Sequence, residues 1–209
     1  MKLFPLSAVA VITFSFPIHL VEAQTERPQP RAALSTRATV EVTLNGRMVA
    51  GNWNTGSASI SGPARIAIDY GQPHARGRTI VGGLVPWDKV WRTGANMATH
   101  LHTDVDITIG GAAVPRGIYT LFTLPSAAGW KLIISKQTLE WGEDHDPASD
   151  LARIDLTQRA LTDPVESLTF WLIPAQIPDG SATLPNGVLK LAWEKTELTT
   201  NWSVSPVGR

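Results

Sequence analysis

The chain contains no cysteine, which excludes a disulfide framework, thiolate metal sites, a cysteine nucleophile and a lipid-anchor cysteine together. It also carries no net charge, because 18 Lys and Arg balance 18 Asp and Glu. No block of like charge supplies an electrostatic footprint, so nucleic acid and anionic membrane surfaces are not expected partners. No long stretch shows the apolar spacing of an amphipathic helix, which argues against a helical bundle or an α/β layer fold. Whatever these 209 residues form must therefore be held by an apolar core built from shorter-period elements.

The N-terminus has an apolar run from Leu3 to Ile18 behind a basic Lys2, then Val21, Glu22 and Ala23. This pattern predicts a secretory signal peptide over residues 1–23, cut after Ala23. Pro17, His19 and Glu22 interrupt the run short of the roughly 20 apolar residues that a spanning helix needs. The expected product is soluble and secreted or periplasmic, without membrane insertion after cleavage, and nothing in the sequence sets its oligomeric state. Residues 24–37 mix Pro, Gln and charge without periodicity and read as a flexible leader. A single domain is expected over residues 38–204, with a short tail over 205–209.

Within that domain the dominant period is two. Ile66, Ile68 and Tyr70 alternate with Arg65, Ala67 and Asp69; Leu168, Phe170 and Leu172 alternate with Ser167, Thr169 and Trp171; Leu189, Leu191 and Trp193 alternate with Lys190 and Ala192. Each segment predicts a strand with one buried face. Asn45-Gly46, Gly110-Gly111 and Pro115-Arg116-Gly117 supply the tight turns between strands. Roughly ten short strands at close spacing predict an all-β fold, a single antiparallel β-sandwich or jelly-roll-like domain. Ile66, Ile68, Leu121, Ile133, Leu168, Phe170, Leu189 and Leu191 are expected to face one shared core, joined by Trp91, Trp130 and Trp193. One helical turn is expected at DHDPASDLAR, with Asp146 as cap and Pro147 in the first helical position. Residues 50–59, AGNWNTGSAS, read as an exposed insertion.

The densest chemistry lies in KVWRTGANMATHLHTD, Lys89 to Asp104. Arg78 and Arg92 sit among apolar residues, where a guanidinium needs a carboxylate, carbonyls or an anionic ligand. The first expectation is that they tie the Leu84 to Val90 loop to neighbouring strands, with Asn96 closing a tight turn; the second is a ligand clamp. Trp53, Trp87 and Trp141 flank Gly, Pro or acidic residues, where a ring either plugs the end of a sandwich or stacks on a carbohydrate. The candidate binding set is Arg78, Arg92, Asn96, Trp87, Trp141 and Tyr70, for a carbohydrate or a small anionic ligand.

A strand through His100 and His102 puts both imidazoles on one face, which offers two ligands for Zn or Cu if a third comes from His74, His145 or Asp146. No H-E-x-x-H motif accompanies them, and the leading expectation is no cofactor. For nucleophilic catalysis there is no G-x-S-x-G elbow, and Ser135-Lys136 lacks S-x-x-K spacing. Paired carboxylates would have to come from Asp69, Asp88, Glu140, Glu143 and Asp144, most of which sit in turns. No catalytic residue is assigned. A non-catalytic binding or envelope-accessory module is the leading reading, and a metal-dependent or carboxylate-based hydrolase around His100 and His102 is the alternative.

Three stretches, IDYGQPHARGRTIVGGLVPWDKVWRTGANMAT, TIGGAAVPRGIYTLFTLP and GWKLIISKQTLEWG, follow one another in an order that resembles the DUF2911 family, exported bacterial proteins of unknown function. The resemblance covers most of Ile60 to Glu194, and GR-x-I-x-GGLVP-x-x-x-VWRTGAN-x-AT is its most specific part. It implies a shared fold and an exported address, with no reaction or cofactor to carry over. It further implies Arg where this chain has Gln72 and an acid where it has Met97, a charged pair that this chain lacks. At His100 and His102 it implies ordinary β-forming residues such as Thr, so histidine chemistry there belongs to this chain or a subgroup.

Overall fold

The computed structural model describes residues 34–44, 64–138, 141, 144–176 and 183–205, together with the backbone of 47–49 and 52–54. The expected signal peptide, the Asn45-Gly46 turn, most of the 50–59 insertion and the side chain of Trp53 lie outside the described residues. The strands are β1 (Thr36–Leu44), β2 (Arg47–Val49), β3 (Asn52–Asn54), β4 (Ala64–Gln72), β5 (Thr99–Thr103), β6 (Ile107–Ile109), β7 (Ala112–Val114), β8 (Gly117–Ser126), β9 (Gly129–Ser135), β10 (Asp150–Pro174) and β11 (Asn186–Val204). β2 and β3 pair with each other, and the other nine form one antiparallel sheet in the order β1-β4-β5-β8-β9-β10-β11-β6-β7. The all-β expectation holds. The strands are not uniformly short, however, since β10 runs for 25 residues and β11 for 19.

These two long strands make a sandwich out of one sheet. A straight 19-residue strand would be roughly 60 Å long, yet the Val204 N–H donates to the carbonyl of Pro185, just before the start of β11, at 2.7 Å. The hairpin must therefore fold back on itself. It does so where the β10–β11 register shifts, between Ala160 and Val165 and again between Val165 and Thr169; opposite lies Glu194 with φ 52°. Irregularities of this kind sharpen bend and twist. Before the bend, Asp150 to Leu156 pair with β9; after it, Thr169 to Pro174 pair with the first half of β11.

The two leaves close over a common core. Tyr70 of β4 meets Phe170 of β10 edge to face at 4.8 Å between centroids, and its hydroxyl accepts the Phe170 N–H at 3.3 Å. Ile66, Ile68, Leu121, Leu168, Phe170, Leu189 and Leu191 all belong to this core. Ile133 does not, although it too is fully buried. The physical reason is alternation: Trp130, Leu132 and Ile134 of β9 face the core, so Ile133 points to the opposite face, opposite Phe122 in register.

That opposite face is covered by the connection from β9 to β10. The His145 ring lies against Phe122 at 4.9 Å and its Nε2 meets Asp150 Oδ1 at 2.7 Å. Thr120 donates to the Gln137 carbonyl at 2.6 Å. The expected helical turn is here, as a 3-10 turn over Pro147–Ser149 whose cap Asp146 accepts from the Ala148 N–H. Those two hydrogen bonds, from Ala148 N–H and the Ser149 hydroxyl, hold the Asp146 carboxyl below its ordinary pKa. The Gly110-Gly111 turn between β6 and β7 also forms as expected, with φ 53° and 86°, the positive pair that a two-residue hairpin requires.

Candidate functional site

The connection from β4 to β5, residues 73–98, contains no regular strand or helix, and it far exceeds the roughly 12–15 residues beyond which structureless loops are uncommon and mostly functional. It is nevertheless fixed at many points. Ile80 and Val85 plug the core, and a tight turn between them is closed by Val85 N–H to Ile80 O at 2.8 Å and Gly82 N–H to Val85 O at 2.9 Å. Trp91 exchanges both backbone hydrogen bonds with Thr123 of β8, at 2.8 and 2.9 Å. The Leu168 N–H holds the Pro73 carbonyl at 2.9 Å, and the Ala95 N–H reaches Gly71 O at 3.2 Å.

This loop and the end of the first half of β11 enclose a cleft of about 400 Å³ lined by Pro73, Leu84, Val90, Trp91, Arg92, Gly94, Ala95 and Trp193. Its volume falls within the usual range for small-molecule sites. Trp91 and Trp193 stack with centroids 5.7 Å apart and planes 19° apart, and the Trp193 Nε1–H donates to the Glu166 carbonyl at 3.3 Å. Among the described residues Arg92, half-buried, is the one ionisable side chain in the lining.

Backbone strain collects around the same cleft. Among the described residues five non-glycine positions have positive φ: Arg76, Asp88, Thr93, Asn96 and Glu194. Four belong to this loop, and Glu194 follows Trp193 directly. Thr93 is the most costly of them, because a β-branched residue at φ 54° crowds its own carbonyl. It is held there, fully buried, by its hydroxyl, which engages Trp91 O at 3.2 Å and Thr123 Oγ1 at 3.1 Å, while Thr99 Oγ1 donates to Thr93 O at 3.1 Å. Strain of about 1–3 kcal/mol per residue persists where the surroundings over-determine it, and such residues cluster at binding and catalytic sites. Gly94 has ordinary φ; it is glycine because a Cβ there would stand 2.7 Å from Thr99 Oγ1 and 3.1 Å from Gly71 O.

The structure brings few of the sequence candidates together. Arg92 lines the cleft. Arg78 staples its own turn, donating from Nε to Ala75 O at 3.1 Å and from its terminal nitrogen to His74 O at 2.7 Å. Asn96 is exposed at φ 61° and its amide donates to Ser35 O at 3.5 Å. Trp87 is half exposed with its ring edge-on to Trp130, and Trp141 is exposed where it bridges Met97; neither lines the cleft. Tyr70 is only 3% exposed and belongs to the core, where burial raises its pKa.

His100 and His102 share a face of β5 as expected, with ring centroids 6.1 Å apart. The side chains offered as a third ligand are engaged elsewhere, His74 Nδ1 with Ser167 Oγ at 2.7 Å, His145 with Asp150, and Asp146 in its cap. Among the described residues no three His, Cys, Asp or Glu side chains converge as metal ligands. Of the candidate carboxylates, Asp69 pairs with Arg37, Asp88 and Asp144 are exposed, and Glu140 and Glu143 lie outside the described residues. Pro73, Leu84, Val90, Trp91 and Trp193 line the cleft although the candidate binding set held none of them, and Trp91 and Trp193 were expected as core. For Leu84 the one legible signal is the apolar GGLVP inside a turn-rich loop.

A second crevice, of about 380 Å³, lies where the ends of β11 meet and is lined by Thr108, Asn186, Asn201 and Ser203 among others, with no ionisable side chain among the described residues. Among the described residues no helix is long and apolar enough to cross a membrane. In comparison with known proteins, a family model described as "Protein of unknown function (DUF2911)" matches residues 53–201. No curated protein and no solved structure matches the chain.

Proposed function

The chain belongs to the DUF2911 family, whose description carries no activity, and from the cleft alone we propose that it is a binding module that takes a small anionic ligand beside Arg92. The observation that supports this reading is a single guanidinium in a 400 Å³ cleft whose walls are tied to the strands by backbone hydrogen bonds. A planar fork of N–H donors fixed in such a setting suits a carboxylate or a related oxyanion. The strained Thr93 between Arg92 and Gly94 supports it further, since it holds the guanidinium-bearing backbone in one conformation. No described carboxylate lines the cleft, so the two-carboxylate hydrolase alternative gains no support there. Carbohydrate is the weaker ligand choice, because among the described residues no amide or carboxylate side chain lines the cleft for sugar hydroxyls and the Trp91 and Trp193 rings face each other.

The test is titration of the purified protein with small anions, read by tryptophan fluorescence and calorimetry. Arg92→Gln is expected to weaken the best ligand at least about tenfold, the size of one lost charge-assisted hydrogen bond, while circular dichroism stays unchanged. Equal binding by both proteins, or no binding of any anion, removes the proposal. The N-terminal apolar segment supports export as part of the same reading; protein recovered from the cell envelope or medium is expected to begin at Gln24, and an intact Met1 there would contradict it.

A further inference from the structure

We infer that the ligand of this cleft is an amphipathic monoanion, a carboxylate carried on an apolar aliphatic or aromatic body. The inference rests on the proposed anion site and adds what the rest of the molecule must be. Five of the eight lining residues, Pro73, Leu84, Val90, Trp91 and Trp193, have apolar side chains, and Gly94 and Ala95 contribute little beyond backbone. Against these walls stands one cation. A guanidinium presents a planar fork of N–H donors, and a carboxylate matches that fork with two acceptors. Phosphate or sulfate dianions ask for more positive charge than this lining holds: Lys89 is exposed outside it, and Arg78 spends its donors on the carbonyls of residues 74 and 75.

The mouth of the cleft points to the apolar body. Leu84 is 47% exposed and Val90 36%, both in the lining. Large aliphatic side chains held open to water by a hydrogen-bonded loop are stabilised when a ligand covers them. The loop does not collapse over them, because Leu84 N–H is bound to Thr79 O at 3.1 Å and Asp88 N–H to Pro125 O at 2.8 Å. The cleft therefore keeps an apolar wall in place for something that is not part of the described chain.

The experiment is a chain-length series, acetate, butanoate, hexanoate and octanoate, titrated into the full protein, with octan-1-ol and inorganic phosphate as controls. Tryptophan fluorescence is the first readout, since Trp91 and Trp193, two of the eight tryptophans, line the cleft, and calorimetry is the second. Affinity is expected to rise about fourfold per added methylene, the transfer free energy of one CH₂, until the chain fills the cleft. Leu84→Asn, at a half-exposed position outside the core cluster, is expected to fold and to flatten that rise, which keeps the inference testable even if Arg92→Gln fails to fold. If acetate and phosphate bind as tightly as octanoate, the apolar body is wrong while the anion site stands. If octan-1-ol binds as tightly as octanoate, the inference is overturned at its head group. If nothing in the series or the controls binds, the anion site falls with it.

Discussion

Tyr70 and Tyr119 are the chain's two tyrosines, and both phenols are held above their ordinary value. For Tyr70 the cause is burial, opposed by the Phe170 N–H and the Gln72 side chain; for Tyr119 burial leads and the charge of Asp106 adds to it. A phenol raised in the folded state stabilises the fold fully below the unfolded value of about 10 and loses that contribution as pH rises through the folded value. The thermal midpoint is therefore expected to fall on the alkaline side of pH 10, and Tyr70→Phe is expected to flatten that fall. Absorbance titration of the native protein should show phenolate forming later than in urea, and coincident curves would contradict the assignment. His100 and His102 make the opposite kind of prediction. With no third ligand near them among the described residues, His100→Thr with His102→Thr is expected to fold normally and EDTA to leave the midpoint of the wild type unchanged. Stoichiometric zinc or copper whose removal drops the midpoint by many degrees would refute this, because metal bound only by the folded state adds its binding free energy to stability. The pairing of the two histidines on one face was legible from i, i+2 spacing. The partner of His74 was not, since Ser167 reaches it through a tertiary contact; His145 meets Asp150 within the same connection.

At the scale of elements, the turns were the most legible and the strand lengths the least. The turn capped by Asp146 and the Gly110-Gly111 turn carry local hydrogen-bond and φ requirements that involve only near neighbours, so sequence suffices. Gly71 shows the converse. It lies inside β4, paired with Arg37, and a Cβ there would stand 1.8 Å from the Ala95 carbonyl oxygen; no local pattern says that the cleft loop crosses at that spot. Gly71→Ala is expected to cost about 3 kcal/mol, as overpacking against backbone does. Gly111→Ala meets no atom within 4 Å and has only its φ of 86° to bear, so it is expected to cost about 1 kcal/mol. Urea unfolding of the two variants checks the contrast, and equal losses would mean that the close approach at Gly71 relaxes freely.

For the molecule as a whole, stability depends on the two leaves meeting. Phe170 is 2% exposed and touches Tyr70 across the interface. Phe170→Ala is expected to cost about 3–5 kcal/mol in chemical denaturation, and a loss under about 1 kcal/mol would show that the leaves do not share one core. The cleft depends on the same closure, because Trp193 comes from β11 in one leaf and Trp91 is anchored to β8 in the other.

What the sequence determined by itself was the class of fold, the inward-facing alternation of β4, β10 and β11, and the local turns at Asp146 and at Gly110-Gly111. Alternation and turn chemistry are properties of neighbours along the chain, and they survive any arrangement of the strands. Only the tertiary structure decided that β10 and β11 bend back on themselves, that Ile133 faces away from the main core, and that Arg92 shares a cleft with Leu84 and Trp193 while Trp87 and Trp141 do not. Each of these depends on which distant residue arrives at a given face. A period-two pattern marks a side chain as buried, but it carries no information about what buries it.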